Sequence, residues 1–400
     1  MNSDEEERYK RVSRQFKILM EVLFKSEGYF LTHLNFQGRH EAASLRAPDS
    51  PPDWLDHGAQ EACRRGQEVY MDNLYANMAG GMDALLIGMC IHNFYRPLVY
   101  SQKTVKRPQS GMRYMETGMM MYSWYRDDLW ARDSVSIRAM RRVNAMHRHV
   151  ADKVRPIVDS LEEEVEKIFR ENDIDCEERM TDQDKILLSD IEAIKARTQL
   201  PQEYLDYVRD STPFSELDMA IIQGAFFAPY LMYPRHYGVS GVSRGELQDF
   251  VALWRVFGFY LGIDEIYNAV PSNFDFDDMA LYCDFLMEKI LKPCMLNLDA
   301  RAIYMAKTAI MITDYNVVAY AKYRLVGYDL PNLWMSFSLE QKLVYYFRQI
   351  YLPYFYPLPG VKQVINYFTK SVLGKVFSMI DKKYKIGVMC PVRHAANAVS

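Results

Sequence analysis

Arg113, Glu116 and Thr117 fall within two turns of a helical pattern in GMRYMETGMMMYSWYR, and His147 and His149 follow in RRVNAMHRHV. Side chains four apart share a helical face, so Arg113 and Thr117 lie together, with Glu116 on an adjoining side. Val143, Met146, His147 and Val150 keep the three- and four-residue spacing of a buried stripe, which turns His147 inward and leaves Arg142 and His149 oblique. An imidazole, a guanidinium and a hydroxyl facing each other across two packed helices can enclose a ligand. The same spacing also suits two ordinary amphipathic helices, with Arg113 extending its head to water and His147 a hydrogen-bonded core residue. His92, on an apolar segment upstream, is a further candidate for the pocket or a packing residue.

These residues need helices to hold them, and the chain supplies little else. Helical spacing predicts elements over 14–31, from Trp54 to about Tyr75, and through an apolar run ending near Tyr95, with a break at Gly80 and Gly81 and a stop before Pro97. The Arg113 helix follows, and Asp133 or Ser134 is placed to cap the helix that carries His147, which Pro156 ends. Residues 158–180 read as a solvated acidic helix face. Further helices are expected over Asp182–Leu200, Glu216–Met232, Arg244–Leu261, Asp277–Ile290, Arg301–Val326, from Ser336 or Ser338 to Tyr351, and Gly360–Met379. Asp264, Glu265 and Asn268 lack the oxygen-ligand repeat of a calcium loop and read as capping groups, while Trp254 and Arg255 read as bundle-stabilising residues. Period-two alternation is sparse. The expectation is an all-α multi-helix bundle forming one large domain over 14–379, with an irregular insertion at 32–60 and tails at 1–13 and 380–400.

Composition narrows the partners. A formal net charge of -4 offers no broad nucleic-acid footprint. The 6 cysteines are scattered without a CxxC pair, so free thiols in a reducing compartment, with no disulfide scaffold or structural zinc, are expected. The charged start, with Asp4, Glu5, Glu6 and Glu7, does not read as a signal sequence, which points to an intracellular, cytoplasmic protein. No apolar run reaches the roughly 18–20 residues of a membrane span. The aromatic C-terminal segment suits peripheral membrane contact or burial against the helical core. The 24 methionines read mainly as core filler.

Arg113 and Thr117 in RYMET, His147 in RRVNAMHRHV, DMAIIQGAF from Asp218, and FVALWRVFGFYLGIDEIYN from Phe250 occur in that order. In this ordered set the chain resembles the mpaB and rubber-oxygenase catalytic-domain family (DUF2236), over roughly residues 54–270. The resemblance implies a helical protein with a central buried pocket for haem b, His147 as the proximal iron ligand, and Arg113 and Thr117 lining the pocket. It further implies oxygenase chemistry with dioxygen on a hydrophobic, isoprenoid-like substrate, with any electron donor unidentified. The chain departs from the rubber-degrading branch at two places. Glu116 stands where some of those enzymes have a lysine beside the threonine, and no acidic residue lies between Asp83 and Glu116. Glu116 then reads as a distal polar group or base, or as an ion-pair partner of Arg113 or Arg126. A haem-binding sensor or carrier without turnover, and a helical interaction protein without a cofactor, are the competing classes.

Overall fold

A computed structural model of the chain describes residues 43, 45, 51–106, 109–131, 133–270, 276–309 and 314–384. The predicted helix over 14–31, most of the 32–60 insertion, and both tails except for the stretch to Tyr384 lie outside the described residues. Among those described, the chain is helical with no strand, as the patterning predicts. The helices, in order, are α1 (His57–Asp72), α2 (Leu74–Met89), α3 (His92–Tyr100), α4 (Gln109–Arg126), α5 (Val135–Val154), α6 (Leu161–Glu171), α7 (Asp182–Lys195), α8 (Gln202–Asp210) and α9 (Glu216–Met232). They continue as α10 (Arg244–Leu261), α11 (Phe276–Leu286), α12 (Lys292–Met295), α13 (Ala300–Ala309), α14 (Tyr315–Leu325), α15 (Pro331–Ser336), α16 (Leu339–Ile350) and α17 (Val361–Tyr384).

The most intimate helix pair is α1 with α10. Asp56 starts α1 by accepting from the Ala59 N–H at 2.8 Å, and Ser243 starts α10 in a capping box with Glu246. Gly66 lets the two backbones meet, since a Cβ there would lie 2.5 Å from the Asp249 carbonyl oxygen. Because the obstacle is backbone, the helices must part to admit even a methyl group. Gly66→Ala is therefore expected to destabilise the fold by about 1–3 kcal/mol, the usual range for overpacking. A urea-unfolding midpoint equal to that of the parent would contradict this close approach.

A second lock joins α9 to α10. The Gln223 amide donates to the Trp254 carbonyl at 2.8 Å and to Asn268 Oδ1 at 3.0 Å, and accepts from the Ala269 N–H at 3.0 Å. Asn268 donates in turn to the Arg255 carbonyl at 3.0 Å. A fully bonded buried network of this kind fixes one register of the two helices. It also gives the QGAF segment a structural task.

Several boundaries differ from expectation. Gly80 and Gly81 lie inside an unbroken α2, and the chain instead breaks at Asn73 and turns by 89° between α2 and α3. Gly80 faces the Tyr237 ring, so close packing outweighs the glycine's weak helix propensity. Pro97 sits within α3 rather than after it. The segment from Arg301 forms two helices, α13 and α14, instead of one. Glu162 is not merely solvated, because it pairs with Arg96 at 2.8 Å and with Arg301. Other expectations hold: Ser134 caps α5, the helix ends before Pro156, and the five cysteines among the described residues are buried free thiols. Glu265, expected as a capping group, instead pairs with Arg255. Arg255 also stacks over the Trp54 ring at 3.6 Å.

Candidate functional site

Helices α4 and α5 pack as neighbours, so the two predicted polar helices do face each other. The Ser136 hydroxyl at the start of α5 donates to the Ser123 carbonyl at 2.7 Å, which ties the root of α5 to the last turns of α4. Further along α5, the Asn144 amide donates to the Leu261 carbonyl at 2.6 Å, anchoring it against the end of α10. Gly262 follows there with φ +84, a conformation natural to glycine, and a Cβ at that position would lie 2.5 Å from the Asn144 amide. One turn beyond Asn144 comes His147.

Arg113 and Thr117 share a face, as their spacing predicts, and the structure joins them by hydrogen bonds. An Arg113 guanidinium nitrogen donates to the Thr117 hydroxyl at 3.3 Å, and that hydroxyl donates to the Arg113 carbonyl at 3.0 Å. The other end of the guanidinium reaches Met146 Sδ on α5 at 3.7 Å, which sets Arg113 beside His147. Among the described residues no carboxylate pairs with Arg113, and Glu116, on the adjoining side of α4, forms no ion pair with Arg113 or Arg126. Burial holds the Arg113 guanidinium below the usual arginine range, against the opposing influence of Glu116. It is a half-buried cation held by a hydroxyl and a thioether.

His147 is the complementary group. Burial, reinforced by the Arg113 charge, pushes its pKa down to about 4, so the ring is uncharged at neutral pH. Its Nδ1 is buried without a hydrogen-bond partner. The Phe214 ring lies against it at 5.9 Å between centroids. Phe214 has φ 61, a left-handed backbone conformation costly for a bulky residue, and its carbonyl accepts from Arg155 at 3.2 Å and from the Ala43 N–H at 3.1 Å. A strained aromatic thus closes one side of the imidazole.

Asp218, one turn into α9, is a buried carboxylate that spacing alone did not single out as a site residue. One oxygen accepts from the Tyr207 hydroxyl at 2.7 Å and from the Asn93 amide at 3.2 Å, while Oδ2 is buried without a partner. Burial raises its pKa to about 6 in spite of those hydrogen bonds. The sequence signal was one of two acids, with Glu216, in the first turn after a Ser cap of a largely apolar helix, which also describes an ordinary first-turn carboxylate.

His92 stands apart from this group. Its Nδ1 lies 3.2 Å from the Arg96 guanidinium and its ring packs on Tyr95, in a polar cluster that includes Glu162 and Asp299. No hydrogen bond, ion pair or ring contact joins it to Arg113, Thr117 or His147 among the described residues. His149 is exposed. A cavity of about 460 Å³ lies elsewhere too, lined by Lys106, Arg179, Tyr304, Lys307 and Thr308, with no residue of α4 or α5 in its wall.

The low His147 pKa has a measurable consequence. An unfolded histidine binds its proton near pH 6.5 and this one near 4, so the unfolded state is protonated first on acidification. Stability is lost between those values, by on the order of 2–3 kcal/mol for this ring. His236, pushed to about 4 by burial and then Arg348, acts with the same sign, whereas Asp218 opposes because the fold takes up its proton first. In His147→Asn the melting temperature should therefore fall less than in the parent on going from about pH 7 to about pH 4.5. Parallel pH profiles of parent and variant would contradict a depressed His147.

Comparisons with protein-family models, with curated proteins and with solved structures find no match to this chain. The residues themselves therefore carry the functional reading. In donor chemistry they fit a haem: an uncharged imidazole with an unpartnered buried nitrogen can ligate iron, and a cation without a carboxylate can receive an anionic substituent.

Proposed function

We propose that this chain is a haem b-dependent oxygenase, or a related oxidoreductase, acting on a hydrophobic, isoprenoid-like substrate. The observation that supports it is the meeting across α4 and α5 of the unpartnered, uncharged His147 with the uncompensated Arg113. His147 would hold the iron, its depressed pKa keeping a lone pair available throughout the neutral range. Arg113 would pair with a propionate or another anionic group, and Thr117 would fix the guanidinium while its own proton is committed to the Arg113 carbonyl. A bound haem supplies dioxygen and one-electron chemistry, and the surrounding chain supplies binding, orientation and exclusion of water. Phe214 and Met146 give the site its apolar wall. Glu116, without an ion pair, is available as a proton acceptor at the edge of α4.

A haem-binding sensor or carrier without turnover is the second reading. It is favoured by Glu116 in place of a lysine and by the absence of any acidic residue between Asp83 and Glu116. Oxygen uptake by the haem-loaded chain with a polyprenyl substrate separates the two. Uptake coupled to carbonyl product, reduced at least tenfold by Glu116→Gln while haem content is kept, is expected for the oxygenase. Haem retention with no oxygen uptake across prenyl substrates would assign the carrier role.

A further inference from the structure

Most water-facing helices bury their apolar stripe; α16 does the reverse. Leu339, Leu343, Phe347 and Ile350 recur at helical spacing and are 74, 59, 65 and 48% exposed, and no residue of α16 is buried. In α17, Tyr367, Phe368 and Val372 face outward in the same way, while Asn366 and Phe377 are buried. The two helices are joined through the π-helical turn Tyr351–Phe355, whose Tyr354 and Phe355 are also exposed. On the body, α17 packs against α2, where Met78 and Met82 extend the apolar surface. Apolar exposure concentrated in this way marks an interaction face rather than the scatter of single residues normal on a protein surface.

The charge along this stretch is predominantly positive. Between Met335 and Met379 the chain carries Lys342, Arg348, Lys362, Lys370 and Lys375 against a single acid, Glu340. Arg348 is committed to Asp83 at 3.2 Å. Lys362 donates to Asn73 Oδ1 at 3.3 Å and lies in the field of Glu246, and Lys342 lies over the Trp334 ring at 5.4 Å; among the described residues no carboxylate forms an ion pair with Lys370 or Lys375. A second copy of this chain would bring like charge against like, so an isologous dimer is disfavoured. An anionic bilayer meets both requirements, since its acyl region takes the leucines and phenylalanines and its headgroups take the lysines. No single described helix is long and apolar enough to cross a membrane, so docking in the plane of the interface is the mode these helices suit.

We propose that α16, the π-helical turn and α17 form a docking surface for an anionic lipid bilayer. The surface is separate from the α4–α5 site and does not depend on haem. Flotation of the full chain with phosphatidylcholine vesicles, alone or mixed with phosphatidylserine, tests it. The parent should float with the mixed vesicles, much less with phosphatidylcholine alone, and less as salt rises. Lys370→Gln with Lys375→Gln should lower partitioning about 25-fold, from about fivefold per lysine at an anionic surface. Phe347→Glu with Phe368→Glu should abolish flotation on both vesicles. All four side chains point away from the core or lie at its edge, so the melting temperature serves as a control and should stay near that of the parent. Absence of flotation by the parent, or equal flotation on both vesicles unchanged by the lysine variant, would overturn the proposal. A concentration-dependent dimer dispersed by Phe347→Glu, with no vesicle binding, would assign the face to a second copy instead.

Discussion

Asp83→Ala is expected to destabilise the fold by about 3–5 kcal/mol, the cost of removing one partner from a buried ion pair. Asp83 is 1% exposed and is the only charged residue of α2, and its carboxylate binds Lys322 of α14, whose side chain is 4% exposed, as well as Arg348 of α16. Lys322 also approaches the Tyr237 hydroxyl at 3.4 Å. Burial, and then the Arg348 charge, already press the Lys322 pKa well below its usual value. Without Asp83 the lysine must give up its proton or draw water into the core, and Arg348 loses its counter-charge at the same time. Total stability is typically about 5–15 kcal/mol, so this one change takes a large share. The companion Asp83→Leu/Lys322→Met should recover part of the loss, because the buried lysine no longer needs a counter-charge while Arg348 remains without Asp83. Urea-unfolding midpoints at unchanged m-value measure both, and a midpoint near that of the parent for Asp83→Ala would remove the pair from any structural account.

The same triad couples the core to the outward-facing hairpin. Since α16 buries no residue, Arg348 on Asp83, the Gln341 amide on Gln183 at 2.9 Å, and the packing of Tyr345 on Trp334 and Tyr320 are what hold it to the body. Loss of Asp83 should therefore speed amide exchange in α16 before the global unfolding limit is reached.

His147→Ala is expected to lower haem affinity by well over 100-fold while leaving the helical signal unchanged. Loss of a partner that merely orients a metal ligand typically costs about 10–100-fold, so loss of the ligand itself should exceed that range. The fold has little to lose at this position. His147 contributes a nitrogen with no hydrogen-bond partner, and its neighbours Val143 and Met146 keep α5 packed without it. Arg113→Ala should behave differently, shifting the absorption band and weakening retention about tenfold, since its bonds reach only Thr117 and Met146. Unaltered haem content in His147→Ala would mean that another group holds the iron.

Much of this architecture is legible in the sequence because its signals are local. Apolar spacing located α9 and α10 to within a few residues, Ser134 was legible as the cap of α5, and the four-residue separation of Arg113 and Thr117 put them on one face. What failed was decided by distant partners. Gly80 and Gly81 look like a break, yet α2 continues because Tyr237 packs on that face. His92 looks like a pocket residue on an apolar run, and only the return of Glu162 and Asp299 places it in another cluster. Phe214 and Asp218 were invisible as site residues, since a strained aromatic and a buried carboxylate look like ordinary loop and cap residues until the fold closes over them. The stripes of α16 and α17 carry the least directional signal of all. Period and composition describe an amphipathic helix whichever way it faces, and burial against the core was as consistent with them as the exposure that is found.

The central claim is that His147 is an iron ligand, and the most direct test is an absorbance titration of the purified chain with haem, with His147→Ala in parallel and iron and porphyrin quantified. The account predicts a Soret band that saturates at one haem per chain in the parent, changes on reduction and addition of carbon monoxide, and is lost in the variant. A folded parent that shows no saturable band, or a variant whose spectrum matches it, would contradict the assignment.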